Sequence, residues 1–211
     1  MEKVIPSDVA FTPAVKAIQT RLGSRAAYAR MEEGEGWETT ITPDLAGFIA
    51  EQTSAFLGTA SAAGQPYIQH RGGARGFLHV LDAKTIGFAD LRGNRQFITL
   101  GNLAENPKAH LFLIDYEQSQ RVKIWGEARV VEDDPVLLGK LLPANEKPQG
   151  ARVILFTVTA WDANCPKYIP QRFDAEGVTR ALEQRDGRIA ELEQEVAELK
   201  AKLGGGTARP K

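Results

Sequence analysis

Between residues 53 and 173 the chain divides into about seven short apolar runs joined by tight turns, which narrows its possible folds more than any other feature. Residues 55–61 and 66–71 flank Ala62-Ala63-Gly64-Gln65, a hairpin signal, and 76–81 and 85–90 flank Asp82-Ala83-Lys84. Residues 108–116, 121–131 and 152–160 complete the set. One helix is expected to interrupt it, starting near Gly93-Asn94 and running through Phe97, Leu100 and Leu103 to Asn106-Pro107, where proline bars its continuation. A shorter helix is expected after Asp134-Pro135. Short strands in close hairpin succession, with few helices among them, favour a small antiparallel barrel over βαβ units. The class read here is mainly β with flanking helices (α+β).

The flanks differ from this centre. Residues 1–52 read as a helical segment. Thr12-Pro13 offers a capping residue and a first-turn proline, followed by Val15, Ile18 and Leu22 at helical spacing. Thr42-Pro43 repeats the signal, with Leu45, Phe48 and Ile49 on one face, and Glu32-Glu33-Gly34-Glu35-Gly36 reads as an exposed loop between the two helices. After the barrel region (53–173) comes a helix over 174–203. It carries Leu182, Ile189, Val196 and Leu203 at heptad position a, and Arg185, Leu192 and Leu199 at d. Ile and Val at a with Leu at d favour a parallel two-stranded coiled coil, expected to clamp a dimer formed elsewhere. A single amphipathic helix packed on the barrel is the alternative. Gly204-Gly205-Gly206 should end it, leaving 204–211 as a disordered tail.

Composition removes several classes of function. An apolar share of 43% suffices for a core, while a net charge of −1 leaves no basic footprint for nucleic acid or a membrane surface. The N-terminus lacks the charged and apolar regions of a secretory signal, and no apolar run approaches the ~18 residues of a membrane helix. The single cysteine, Cys165, allows no intrachain disulfide and no cysteine-rich metal site. A cytoplasmic protein is expected, with no metal.

The stretch that carries chemistry opens Gly64-Gln65-Pro66-Tyr67-Ile68-Gln69-His70-Arg71-Gly72-Gly73. After one more hairpin it reaches Phe88-Ala89-Asp90-Leu91-Arg92-Gly93-Asn94-Arg95-Gln96 and enters a helix. Unpaired N–H groups and the positive dipole end at a helix start attract anions, and arginine adds a planar fork for phosphate. The alternative is that Arg92 and Arg95 are solvated loop charges.

These motifs resemble the pyridoxamine 5′-phosphate oxidase superfamily of FMN-binding split β-barrels, with the better match over residues 48–131. The resemblance implies that Gln69, His70, Arg71, Gly72 and Gly73 run along the flavin ring and phosphate. It also implies that the loop holding Ala89, Asp90, Arg92, Asn94, Arg95 and Gln96 grips the phosphate. The family's loop reads F-x-T-x-x-x-S-R-K. Here Asp90 stands for the threonine, Asn94 for the serine and Gln96 for the lysine, while Arg95 matches. Arg92 or Arg71 could replace the missing cation. The resemblance further implies a homodimer whose flavin sites are shared, with Arg121, Lys123 and Trp125 of one strand face reaching the partner's flavin. An ordinary exposed sheet face is the alternative for those three.

The activity implied is an FMN-dependent oxidoreductase taking hydride from NAD(P)H and passing electrons to oxygen or a small acceptor, with His70, Arg71 and Lys123 as catalytic candidates. The vitamin-making oxidase's R-x-H element is missing from 164–172, which disfavours pyridoxamine phosphate as substrate and leaves Arg172 to meet an anionic substrate. Cys165 reads as an inert free thiol, and His79 and His110 as structural. Rival readings are a non-catalytic flavin store or redox sensor, a haem-handling protein on the same barrel, and a degenerate barrel that binds nothing.

Overall fold

The expected strands form and join in one antiparallel sheet. They are β1 (Ser54–Ala60), β2 (Pro66–Gly72), β3 (His79–Val80), β4 (Thr85–Asp90), β5 (Lys108–Asp115), β6 (Gln120–Val131) and β7 (Arg152–Asn164). Their spatial order is β2-β1-β5-β6-β7-β4-β3. The computed structural model describes residues 5–34, 36–143, 146–164 and 166–204. These fall into two compact units, one ending at Ile169 and the other beginning at Pro170.

Two strands depart from expectation. β3 shrinks to two residues because Gly76 takes a left-handed φ of 83° and Phe77 N–H closes a turn on Ala74 O, leaving 76–78 outside the ladder. β7 runs on past residue 160 because its pairing with β6 continues to Arg121 opposite Asn164. That pairing shifts register between Trp125 and Gly126, where a Cβ on Gly126 would lie 2.1 Å from Thr157 O. Only glycine fits there, and the shift bends the sheet.

Strand alternation places Leu57, Leu111, Leu113, Ile124, Ile86, Phe88, Ile154 and Phe156 in one buried cluster. β2 and β4 stand first and sixth in the sheet, yet Arg71 on β2 is ion-paired to Asp90 on β4. The sheet therefore curves until its flanks meet through side chains without a backbone ladder, which makes it a split barrel.

The helices are α1 (Pro13–Arg21), α2 (Arg25–Glu33), α3 (Pro43–Ala50), α4 (Ile98–Glu105), α5 (Pro135–Leu141) and α6 (Ala175–Gly204). Thr12, Thr42 and Asp134 cap α1, α3 and α5 by accepting from Val15, Leu45 and Leu137 N–H at 3.3, 3.3 and 2.8 Å. α3 places Leu45 and Ile49 in the core, and α5 buries Leu141 against Val153 and Leu155. Near the N-terminus the pattern misleads. Ile18 and Leu22 are exposed, while Gln19 is the buried residue of α1. Glu32 and Glu33 lie in α2 and not in a loop, and Glu32 is buried because Arg25, Ser7 and Lys16 surround its carboxylate.

α4 starts at Ile98, later than Gly93-Asn94, because Arg95 and Phe97 adopt left-handed φ of 62° and 55° ahead of it. α6 begins before the first full heptad and includes Gly204, while the rest of the expected tail, and Cys165, lie outside the described residues. No helix among the described residues is long and apolar enough to cross a membrane.

Candidate functional site

β2 supplies one wall of a cavity by simple alternation. Tyr67, Gln69 and Arg71 face one way and are half-buried, with Tyr67 Oη donating to Gln69 Oε1. Opposite them lies the irregular segment 91–97 that leads from β4 into α4. Together they line a cavity of about 490 Å³, within the range of small-molecule sites.

The floor is the Arg71–Asp90 ion pair. Arg71 Nη1 donates to Asp90 Oδ1 and Nη2 to Thr99 Oγ1 at 3.2 Å, while Nε is buried with no partner. Over this floor stands a cationic rim. Arg92 lies along Gly150, Arg95 projects from the loop, and Arg152 is paired to Glu132 with its guanidinium 5.3 Å from the Phe97 ring centre. Among the described lining residues there are thus four arginines and one carboxylate, Asp90.

The backbone adds to this field. Asn94 Oδ1 accepts from Gln96 N–H at 3.2 Å, and left-handed residues alternate with ordinary ones through Arg95-Gln96-Phe97. Phe97 offers no side-chain cap to the start of α4, where the first N–H groups carry the positive end of the helix dipole. Alternating backbone of this kind makes a concave nest of N–H groups that suits an anion. A left-handed non-glycine residue costs roughly 1–2 kcal/mol, and the loop contains two.

Among the expected site residues, the structure brings Gln69, Arg71, Asp90, Arg92, Asn94, Arg95 and Gln96 together on this cavity. His70 is on the other face of β2, its Nε2 2.8 Å from Ser54 Oγ and its ring edge-on to Phe56. Gly72 ends β2 and Gly73 follows it, where a Cβ would meet His70 and Phe77 at 2.9 and 2.6 Å respectively, and Ala89 lies half-buried within β4. Arg172 falls in the second unit, described by itself.

Arg121, Lys123 and Trp125 share one face of β6, as alternation requires, but lie outside this chain's own cavity. Trp37 stacks on Trp125 at 4.7 Å, and Lys123 lies over both indoles and pairs with Asp162 at 3.1 Å. His110 abuts Trp125 edge-on at 5.0 Å; burial, aided by the Lys123 charge, lowers its pKa to about 4.

Sequence reasoning missed Thr99, Gln149, Gly150 and Arg152 of the lining. Arg152 reaches the site because β4 and β7 pair with Asp90 opposite Arg152, a register with no local signature. Tyr67 was within reach, two residues from Gln69 on the same face. Among the described residues no cluster of His, Cys, Asp or Glu could hold a metal.

The family model for pyridoxamine 5′-phosphate oxidase matches residues 41–165. No curated protein matches the chain. Among solved structures, HupZ of Group A Streptococcus is 18% identical, with a TM-score of 0.48 over 63% of this chain and 99% of that one. A general stress protein 26-related protein of the pyridoxinephosphate oxidase family from Clostridium acetobutylicum is 15% identical, with a TM-score of 0.43 over 63% and 92%. An F420 reductase is 17% identical, with a TM-score of 0.42 over 57% and 98%. With more than half of its length matched by the family model, the chain belongs to the pyridoxamine 5′-phosphate oxidase family.

Proposed function

We propose that the cavity binds FMN through its phosphate and that the protein is an FMN-dependent oxidoreductase, working as a homodimer with each flavin site shared between subunits. The observation that carries this reading is the anion cradle: a buried Arg71 Nε without a partner, beneath a left-handed loop and the uncapped start of α4. The donors fit a phosphate. Arg95, Arg92, Arg71 and backbone N–H groups of the loop and the start of α4 other than that of Gln96 would hold it, with the Gln96 N–H bonded to Asn94 Oδ1 fixing the loop. Tyr67 and Gln69, which line the same cavity, would border the ring.

Bound there, FMN would supply the electron chemistry of an oxidoreductase whose hydride donor is NAD(P)H and whose acceptor is oxygen or a small molecule. The chain's own residues bind, orient and shield it. Among the described lining residues Asp90 is the single carboxylate and is taken up by Arg71, so they offer no free carboxylate base, and hydride transfer requires none. Arg121, Lys123 and Trp125 would serve the partner's cavity. The haem alternative has less support, since no histidine is among the described lining residues and His70 points across β2.

The test is the absorbance spectrum of purified protein, repeated anaerobically with NADH and then NADPH. Bleaching of a flavin band by either supports the oxidoreductase. A flavin band that neither bleaches favours the store or sensor. A protein that stays colourless with added FMN contradicts the proposal.

A further inference from the structure

α6 presents one apolar row along its length. Val178, Leu182, Ile189, Leu192, Val196 and Leu199 follow one another by three, four or, across Arg185, seven residues and are each 42–53% exposed. A 30-residue helix of otherwise charged character, with such a row uncovered, needs a partner surface to stabilise it.

We propose that α6 pairs with α6 of a second copy as a parallel, in-register coiled coil, its direction set by two charge pairs: Arg188 with Glu193 of the second copy, and Glu195 with Lys200 of the second copy. Ile189 and Val196 occupy position a, and Leu192 and Leu199 occupy d, the combination that packs best in a parallel pair. The flanking positions decide direction. Asp186, Glu193 and Lys200 fall at e, and Arg188, Glu195 and Lys202 at g. In a parallel pair each g residue faces the e residue five positions further on in the other helix, so arginine meets glutamate and glutamate meets lysine, each twice by symmetry. In an antiparallel pair g faces g and e faces e, which sets Glu193 against Glu193 and Glu195 against Glu195.

The pattern is thus complementary to itself in one direction, the signature of a two-fold contact between identical chains. Arg188 already pairs with Glu191 of its own helix at 2.7 Å, but that pair is exposed and leaves guanidinium donors for a second carboxylate. Arg185 interrupts the row at d and lowers stability there, so the coil is held chiefly from Ile189 onward. This pairing rests on α6 alone and does not depend on the flavin reading.

The experiment uses the full chain carrying Cys165→Ser and Leu199→Cys, equilibrated in a glutathione redox buffer and run on a non-reducing gel. Position d of a parallel coil brings the two introduced thiols together, and a disulfide-linked dimer is expected. Glu193→Lys with Lys200→Glu makes all four contacts repulsive, so the linked fraction should fall by about tenfold or more. Arg188→Glu with Glu195→Lys should do the same. Mixing the two variants makes every contact attractive again and should restore linking, which separates charge pairing from a folding defect. Absence of linked dimer, linking that ignores the charges, or no recovery on mixing would each overturn the proposal. A helix packed on its own barrel, or on a different protein, would show the first of these results.

Discussion

Arg71 and Asp90 join strands that never pair: β2 and β4 stand first and sixth in the sheet, and their ion pair both closes the barrel's flank and floors the cavity. The arginine lines that cavity and keeps its Nε buried and unpartnered. One side-chain contact thus serves the fold and the site together.

Asp90→Asn should test both roles. Removing one partner of a buried pair costs about 3–5 kcal/mol, so the ligand-free variant should melt well below the parent. A bound phosphate would supply the missing charge. The rise in Tm on adding FMN should therefore be larger in the variant than in the parent. Equal rises would mean that Arg71 does not face the phosphate.

Arg95→Ala should weaken FMN binding by about 1.5–3 kcal/mol, the range for a hydrogen bond to a charged group. Arg95→Gly should lose the same affinity yet stabilise the free protein, because glycine relieves the left-handed φ of 62° at that position. Flavin titration and thermal melts separate the two effects. Unchanged affinity in both variants would remove the phosphate assignment.

The network around Glu32 predicts acid sensitivity. Hydrogen bonding from Arg25 holds the Glu32 carboxyl below its ordinary value of 4.5 against the opposing effect of burial, and Lys16 and Ser7 add to the lowering. A carboxylate with a depressed folded pKa contributes stability that is present above the unfolded value and lost as pH falls through the folded one. Denaturant unfolding should show stability falling below pH 4.5, and Glu32→Gln should flatten that part of the profile. An identical profile in the variant would contradict it.

His110 acts over a higher window. Burial first, then the Lys123 charge, moves its pKa from 6.5 to about 4, so the folded protein keeps it neutral where the unfolded chain takes up a proton. Its contribution is complete above pH 6.5 and is lost as pH falls toward about 4. Unfolding at pH 7 and pH 5 should show a loss in the parent that His110→Gln largely abolishes. Equal losses would place the sensitivity elsewhere.

Most of the barrel was legible because strand alternation and turn residues are local signals. The start of α4 was not, since Arg95 and Phe97 hold left-handed backbone that a sequence normally marks with glycine or asparagine. Glu32 misled because glutamates beside glycines read as solvated, while its partner Arg25 lies two turns back. At the site, the family resemblance implied the whole run 69–73, whereas the alternation of β2 turns Gln69 and Arg71 to the cavity and His70 to the opposite face. Arg152 and Gln149 depend on the register of β4 with β7 and on the loop before β7, which nothing local encodes.

The central claim, a cavity built for a flavin phosphate, is tested most directly by calorimetric titration of the flavin-free protein with FMN and, separately, with riboflavin. The account predicts saturable binding of one FMN per chain, with riboflavin, which lacks the phosphate, bound at least about tenfold more weakly, equivalent to ~1.4 kcal/mol. Equal affinities for the two, or no saturable FMN binding, would contradict it.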